Sequence, residues 1–130
     1  MTDFYKPYYD EYFRLIYPKN IDLKFEEFRK IALKIKNSDG KLIFAGNGAS
    51  ASISAHGAVD FTKQGGVRAI TFNEANVITC FSNDYGYDHW VSEATKFYAK
   101  SNDAIVLISV SGESKSVVNA ALTAKDIGIP

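Results

Sequence analysis

Three short apolar runs, at residues 41–46, 67–72 and 104–109, constrain this chain more than anything else in it. A turn rich in glycine, asparagine or serine closes each run, and a stretch of helical texture follows it. The gaps between runs are too long for hairpins and long enough for a crossover helix. That spacing predicts parallel strands joined by helices, hence an α/β fold with three αβα layers. The third run, hydrophobic throughout, is expected to be the central strand.

The segments before and between these runs read as helices. Tyr8, Tyr12, Leu15 and Ile16 share one helical face, and Tyr9, Phe13 and Tyr17 widen the apolar arc beyond it. So broad an arc is usually covered, and in a small domain a second subunit often covers it. After the break at Pro18, Asp22 is a candidate N-cap, with Phe25, Phe28, Ile31, Ala32 and Ile35 at helical spacing behind it. Ser38-Asp39-Gly40 ends that helix. The expected organisation is therefore a helical segment over 1–39 and an α/β domain over 40–130. Within the latter, a short helix is expected at 74–81 and a loop at 82–87. Another helix is expected at 89–99, burying Val91, Ala94, Phe97 and Tyr98, and a last one at 115–126. Cys80 reads as buried.

Charge and composition narrow the partners. The 15 basic residues balance 15 acidic ones, which argues against a nucleic-acid binder, since those carry a basic excess. A single cysteine allows no disulfide within the chain and fits a reducing compartment. No signal-like start and no apolar run of membrane-spanning length are visible. The expectation is a cytoplasmic protein without membrane or nucleic-acid partners.

In a parallel sheet, ligands gather beyond the C-terminal strand ends. Two turns sit there. Gly46-Asn47-Gly48-Ala49-Ser50 matches neither a Walker loop nor Gly-x-Gly-x-x-Gly, and alone reads as an ordinary β–α turn. Ser109-Val110-Ser111-Gly112-Glu113-Ser114 says more. Its hydroxyls cluster around a glycine where a helix begins, and free N–H groups with serine donors suit a phosphate without any lysine. Glu113 would repel that phosphate and is expected to point away, or to reach toward a sugar hydroxyl or a base. His56 and Asp60 stand four apart on one helical face. They could be two metal ligands, Asp60 could be a general base, or they could be a functionless hydrogen-bonded pair. Asn83-Asp84 could hold sugar hydroxyls, or merely mark a turn.

Taken in order, these motifs resemble the sugar isomerase (SIS) domain, and within it the phosphoheptose isomerases, which interconvert sedoheptulose 7-phosphate and D-glycero-D-manno-heptose 7-phosphate. The resemblance runs over roughly residues 41–128. It implies a flavodoxin-like SIS fold preceded by two helices that assemble a homotetramer. It implies that Asn47, Gly48, Ala49 and Ser50 contact the sugar, together with Asn83 and Asp84. Ser109, Val110, Ser111 and Ser114 would hold the phosphate. His56 would bind zinc, and Asp60 would bind it too while moving the proton.

The sequence also departs from the family pattern. Asp60 stands where the family has a glutamate, Ala49 where it has a second glycine, and Val110 where it has a hydroxyl residue. Glu113 replaces the usual asparagine and is common in arabinose 5-phosphate isomerases. Gln64 lies near the position of a family basic residue. The family also continues beyond residue 130 with further strands, a glutamine and a histidine, so a truncated chain with an open sheet edge is expected. Three readings follow: a sedoheptulose 7-phosphate isomerase, a non-catalytic SIS module that binds a phosphosugar or scaffolds a protein partner, and another sugar-phosphate isomerase.

Overall fold

The structure, a computed structural model, describes residues 4–130. Residues 1–3, included above in the helical segment and in the reading of the chain's start, lie outside the described residues. The chain divides into two compact units, one ending at Lys30 and the other spanning Ile31–Pro130. The second unit begins before residue 40, the boundary expected from texture, because the end of the second helix buries Ala32 and Ile35.

In the first unit, helix α1 spans Tyr5–Ile16 and has no buried residue. The Tyr8 and Tyr12 rings stack along the helix, 6.3 Å apart and nearly parallel. Helix α2, Ile21–Asn37, runs from this unit into the next. It starts one residue ahead of Asp22, which therefore lies inside the first turn instead of capping it. An acidic side chain there still complements the helix dipole.

The second unit is built on three parallel strands, β1 (Leu42–Gly46), β2 (Ala69–Thr71) and β3 (Ala104–Ile108), in the order β2-β1-β3. β1 is thus the central strand and β3 flanks it, contrary to the expectation for the third run. The hydrophobicity of β3 reflects helices on both its faces, since both α3 and α6 contact it; strand order is a separate matter of pairing. Crossover helices are α3 (Ala49–Lys63), α4 (Ala75–Tyr85), α5 (Trp90–Tyr98) and α6 (Lys115–Asp126).

Strand alternation sorts β1 into two layers. Ile43 and Ala45 join Phe72, Trp90, Val91, Ala94 and Ala120 in the core beneath α4, α5 and α6. Phe44 points the other way, against Phe61 of α3, with Gly57 making room for its ring. The described sheet is therefore the middle of an αβα sandwich. The outward N–H and C=O of Ala69 on β2 are both taken by the Thr62 hydroxyl, which blunts pairing at that edge. On the far side of β3, the Ile105 N–H donates to the Pro130 carbonyl at 2.9 Å.

α4 runs to Tyr85, so Asn83 and Asp84 sit in a helix where a loop was expected. The Glu74 carboxylate caps its start by accepting the Asn76 and Val77 N–H groups, and Gly86, at φ 85°, ends it. The stack of Phe81 on Tyr85 spans the last turn. That packing outweighs the turn preference of Ser82-Asn83-Asp84. Ile78 and Phe81 pack on the core while Cys80 is exposed on another face of α4, contrary to its burial in the sequence reading. On α5, Val91 and Ala94 are buried, but Phe97 and Tyr98 are exposed and Trp90 is the large core residue instead.

Candidate phosphate and metal sites

The β1–α3 and β3–α6 turns meet at the C-terminal ends of adjacent strands and enclose an open cavity of about 270 Å³. Asn47, Ser50, Ile108, Ser109, Val110, Ser111 and Ser114 line it. The turn geometry explains how. Gly46 lies too close to Ser50 and to the Ile108 carbonyl for any side chain, with contacts of 2.8–2.9 Å awaiting a Cβ. Gly48 takes φ 55° and ψ −125°, a conformation open to glycine, and hands the chain to α3. Asn73 at the end of β2 fixes the strand end: its amide accepts the Gly46 N–H at 3.1 Å and donates to the Gly46 carbonyl at 2.7 Å.

The serine loop is arranged as a set of donors. The Ser109 hydroxyl accepts the Gly112 N–H, and the Ser111 hydroxyl accepts the Glu113 N–H, each at 3.1 Å. Each hydroxyl thereby keeps its own proton to donate. Ser114 stands at the N-cap of α6 without a side-chain cap bond, leaving its hydroxyl for the cavity. The first N–H groups of α6 have no intrahelical acceptor and carry the positive end of its dipole. Val110 also lines the pocket and exposes 98% of its surface. Among the described residues no lysine or arginine lines the cavity. Neutral donors and a helix dipole are what it offers to an anion.

Asn47, one of the lining residues, is held by two side chains from elsewhere in the chain. Its amide donates to the buried Ser116 hydroxyl at 2.9 Å and accepts from the Tyr87 hydroxyl at 3.0 Å. Tyr87, Ser116 and Asn73 went unnoticed as site residues in the sequence because their partners lie 27 to 69 positions away.

The other expected residues are placed elsewhere. Gly48 and Ala49 form the turn between two lining residues but do not themselves line the cavity. Asn83 donates to Asp84 at 2.9 Å on the exposed end of α4, outside the pocket. His56 and Asp60 face solvent on α3, with His56 Nε2 3.4 Å from Asp60 Oδ2. At 1.5 Å rise per residue they stand about 9 and 15 Å along the helix from Ser50.

Zinc can be tested against that pair. Two ligands, each 2.0–2.1 Å from a tetrahedral ion, lie about 3.3–3.4 Å from one another, which is the separation found. The pair fits half of a zinc site. Among the described residues no group of three or more His, Cys, Asp or Glu side chains could hold a metal ion.

Comparison with known proteins places these features in a family. The SIS domain pattern matches residues 14–130. The phosphoheptose isomerase of Sulfurimonas denitrificans is 34% identical over 118 residues, covering 85% of this chain and 60% of that protein. A probable phosphoheptose isomerase of Thermoplasma volcanium is 37% identical over 118 residues, with the same coverage of 85% and 60%. Among solved structures, phosphoheptose isomerase from Neisseria gonorrhoeae superposes with a TM-score of 0.71 at 31% identity, over 77% of this chain and 55% of that one. A phosphoheptose isomerase from Francisella tularensis gives 0.74 at 22% identity, over 99% and 73%, a likeness of fold. The chain spans 51–60% of the length of the curated relatives it matches. No helix among the described residues is long and apolar enough to cross a membrane.

Proposed function

The chain belongs to the SIS domain family, and on that premise we propose that it binds a phosphorylated sugar and isomerises it between ketose and aldose, with sedoheptulose 7-phosphate as substrate. The observation that carries the reading is the cavity between the β1–α3 and β3–α6 turns. It presents hydroxyl protons and a helix N-terminus, and no basic side chain, to an anion. Ser109, Ser111, Ser114 and the Val110 backbone hold the phosphate. Asn47 and Ser50 face the sugar from the opposite wall, with Gly48 and Ala49 shaping the turn between them. Asn83 and Asp84, at the end of α4, contribute further sugar contacts.

Isomerisation moves one proton between the carbonyl carbon and the hydroxyl-bearing carbon next to it. A base takes the proton from the carbon bearing the hydroxyl, an enediol forms, and the proton returns to the former carbonyl carbon while the hydroxyl proton passes between the oxygens. Asp60 is the carboxylate assigned to the carbon-bound proton. Zinc bound by His56 and Asp60, with its remaining ligands from outside the described residues, would polarise the substrate carbonyl.

A homo-oligomer, a tetramer by family resemblance, and a cytoplasmic location complete the proposal. The unburied aromatic face of α1 supports the first. The lone, unpaired cysteine fits the second.

One observation favours a second reading, a non-catalytic phosphosugar-binding module. Asp60 lies outside the cavity and is half exposed. A coupled assay for aldose formation from sedoheptulose 7-phosphate, with and without zinc, separates the two. Isomerisation that falls about 10²–10⁴-fold in Asp60→Ala, with phosphosugar binding retained, supports the enzyme. Saturable binding without turnover supports the module.

A further inference from the structure

A chain of hydrogen bonds holds Asn47, in the wall of the cavity, and uses a residue to which none of the roles above falls. The Tyr87 hydroxyl donates to Asn47 Oδ1 at 3.0 Å, and Asn47 Nδ2 donates to Ser116 Oγ at 2.9 Å. Three separate segments are joined in this way: the turn before α5, the β1–α3 turn and the first turn of α6.

Tyr87 is held in place for this contact. Asn119 of α6 donates to the Asp88 carbonyl at 2.9 Å, and Lys115 pairs with the Asp88 carboxylate at 3.4 Å. The Tyr87 ring lies 6.5 Å from that of the fully buried Trp90. The turn that carries Tyr87 is thus fastened to the same helix whose N-terminus borders the cavity. At the other end of the chain of bonds, Ser116 is buried, with 2% of its surface exposed.

Asn47 has few other constraints. It follows Gly46 and precedes Gly48, which takes a left-handed φ, and its own side chain would otherwise be free to turn about two torsions. With Oδ1 taken by Tyr87 and one Nδ2 proton taken by Ser116, the amide is fixed in plane and orientation. One N–H remains for an oxygen in the cavity. Fixing a contact group before the ligand arrives removes an ordering cost from binding.

We propose that Tyr87 is a positioning residue: by holding the Asn47 amide in the cavity wall it strengthens binding of the sugar part of a phosphosugar, while the phosphate is held by the serine loop without it. The proposal rests on the phosphosugar reading of this cavity. It assigns Tyr87 no contact with the ligand.

Calorimetric titrations of the protein with inorganic phosphate and with sedoheptulose 7-phosphate test it. Tyr87→Phe should weaken the sugar phosphate about 5–10-fold and leave inorganic phosphate within twofold, with an unchanged melting temperature. Ser116→Ala, which cuts the other end of the chain, should act in the same direction. In an Asn47→Ala background, Tyr87→Phe should have no further effect. The proposal is overturned if Tyr87→Phe leaves sugar-phosphate affinity unchanged, weakens both ligands equally, or still acts when Asn47 is gone. If the unmutated protein binds neither ligand, the phosphosugar reading falls and this proposal with it. If it binds both and Tyr87→Phe is silent, this proposal alone falls.

Discussion

Asn73 grips Gly46 by both its peptide groups, accepting the N–H at 3.1 Å and donating to the carbonyl at 2.7 Å. A side chain at the end of β2 thereby continues the pairing of β1 past the last strand residue, where the backbone of β2 has already turned away. Gly46 is buried, so neither group has water to fall back on. Asn73→Ala should cost about 2 kcal/mol, the scale of a buried peptide group left unpaired. Urea denaturation measures this. The same variant should weaken phosphosugar binding, because Asn47 is the next residue.

Gly40 is required for a different reason. Its N–H closes α2 by donating to the Ile35 carbonyl at 3.0 Å, and a Cβ there would sit 1.9 Å from the Asn102 carbonyl oxygen. That oxygen is backbone and cannot swing aside. Gly40→Ala should lower stability by about 2–3 kcal/mol through forced displacement of the turn before β3. The expected fall in melting temperature by calorimetry is about 10 °C.

Asp103 gives the protein an acid-sensitive point. Burial alone would raise its pKa. The Lys41 side chain, the N–H groups of Lys100 and Lys41 at 2.8 Å each, and the Lys41 charge together hold it below the ordinary carboxylate value. A depressed native pKa means that the stabilisation is complete above the unfolded value of about 3.9 and is lost as pH falls through the native value. Stability measured against pH should therefore drop below about pH 4, and that limb should flatten in Asp103→Asn. Asp103→Ala, which strands Lys41, should cost about 3 kcal/mol at neutral pH.

Much of the architecture was legible because it is local. The apolar runs, the glycine turns and the small-residue helix after Gly48 each declare themselves within a few positions. The family resemblance rested on the same turns. What was not legible depends on partners distant in the chain. β3 and β1 carry similar side chains, and only the order of pairing makes one central. α4 absorbs Asn83 and Asp84 because Glu74 caps its start and Phe81 packs on Tyr85 near its end. The serine loop stood out from its own residues, and it lines the cavity beside the β1–α3 turn. The network of Tyr87, Asn47 and Ser116 that holds one wall of the cavity joins positions 40 and 69 residues apart.

The central claim is that the serine cavity binds a phosphorylated sugar through neutral donors. Titration of the protein with sedoheptulose 7-phosphate and with unphosphorylated sedoheptulose tests it most directly, using Ser111→Ala and Ser114→Ala alongside. Saturable binding of the phosphate ester alone is expected, weakened about 10-fold by each serine substitution, the scale of one hydrogen bond to a charged group. Equal affinity for both sugars, or phosphosugar binding indifferent to both serines, would contradict it.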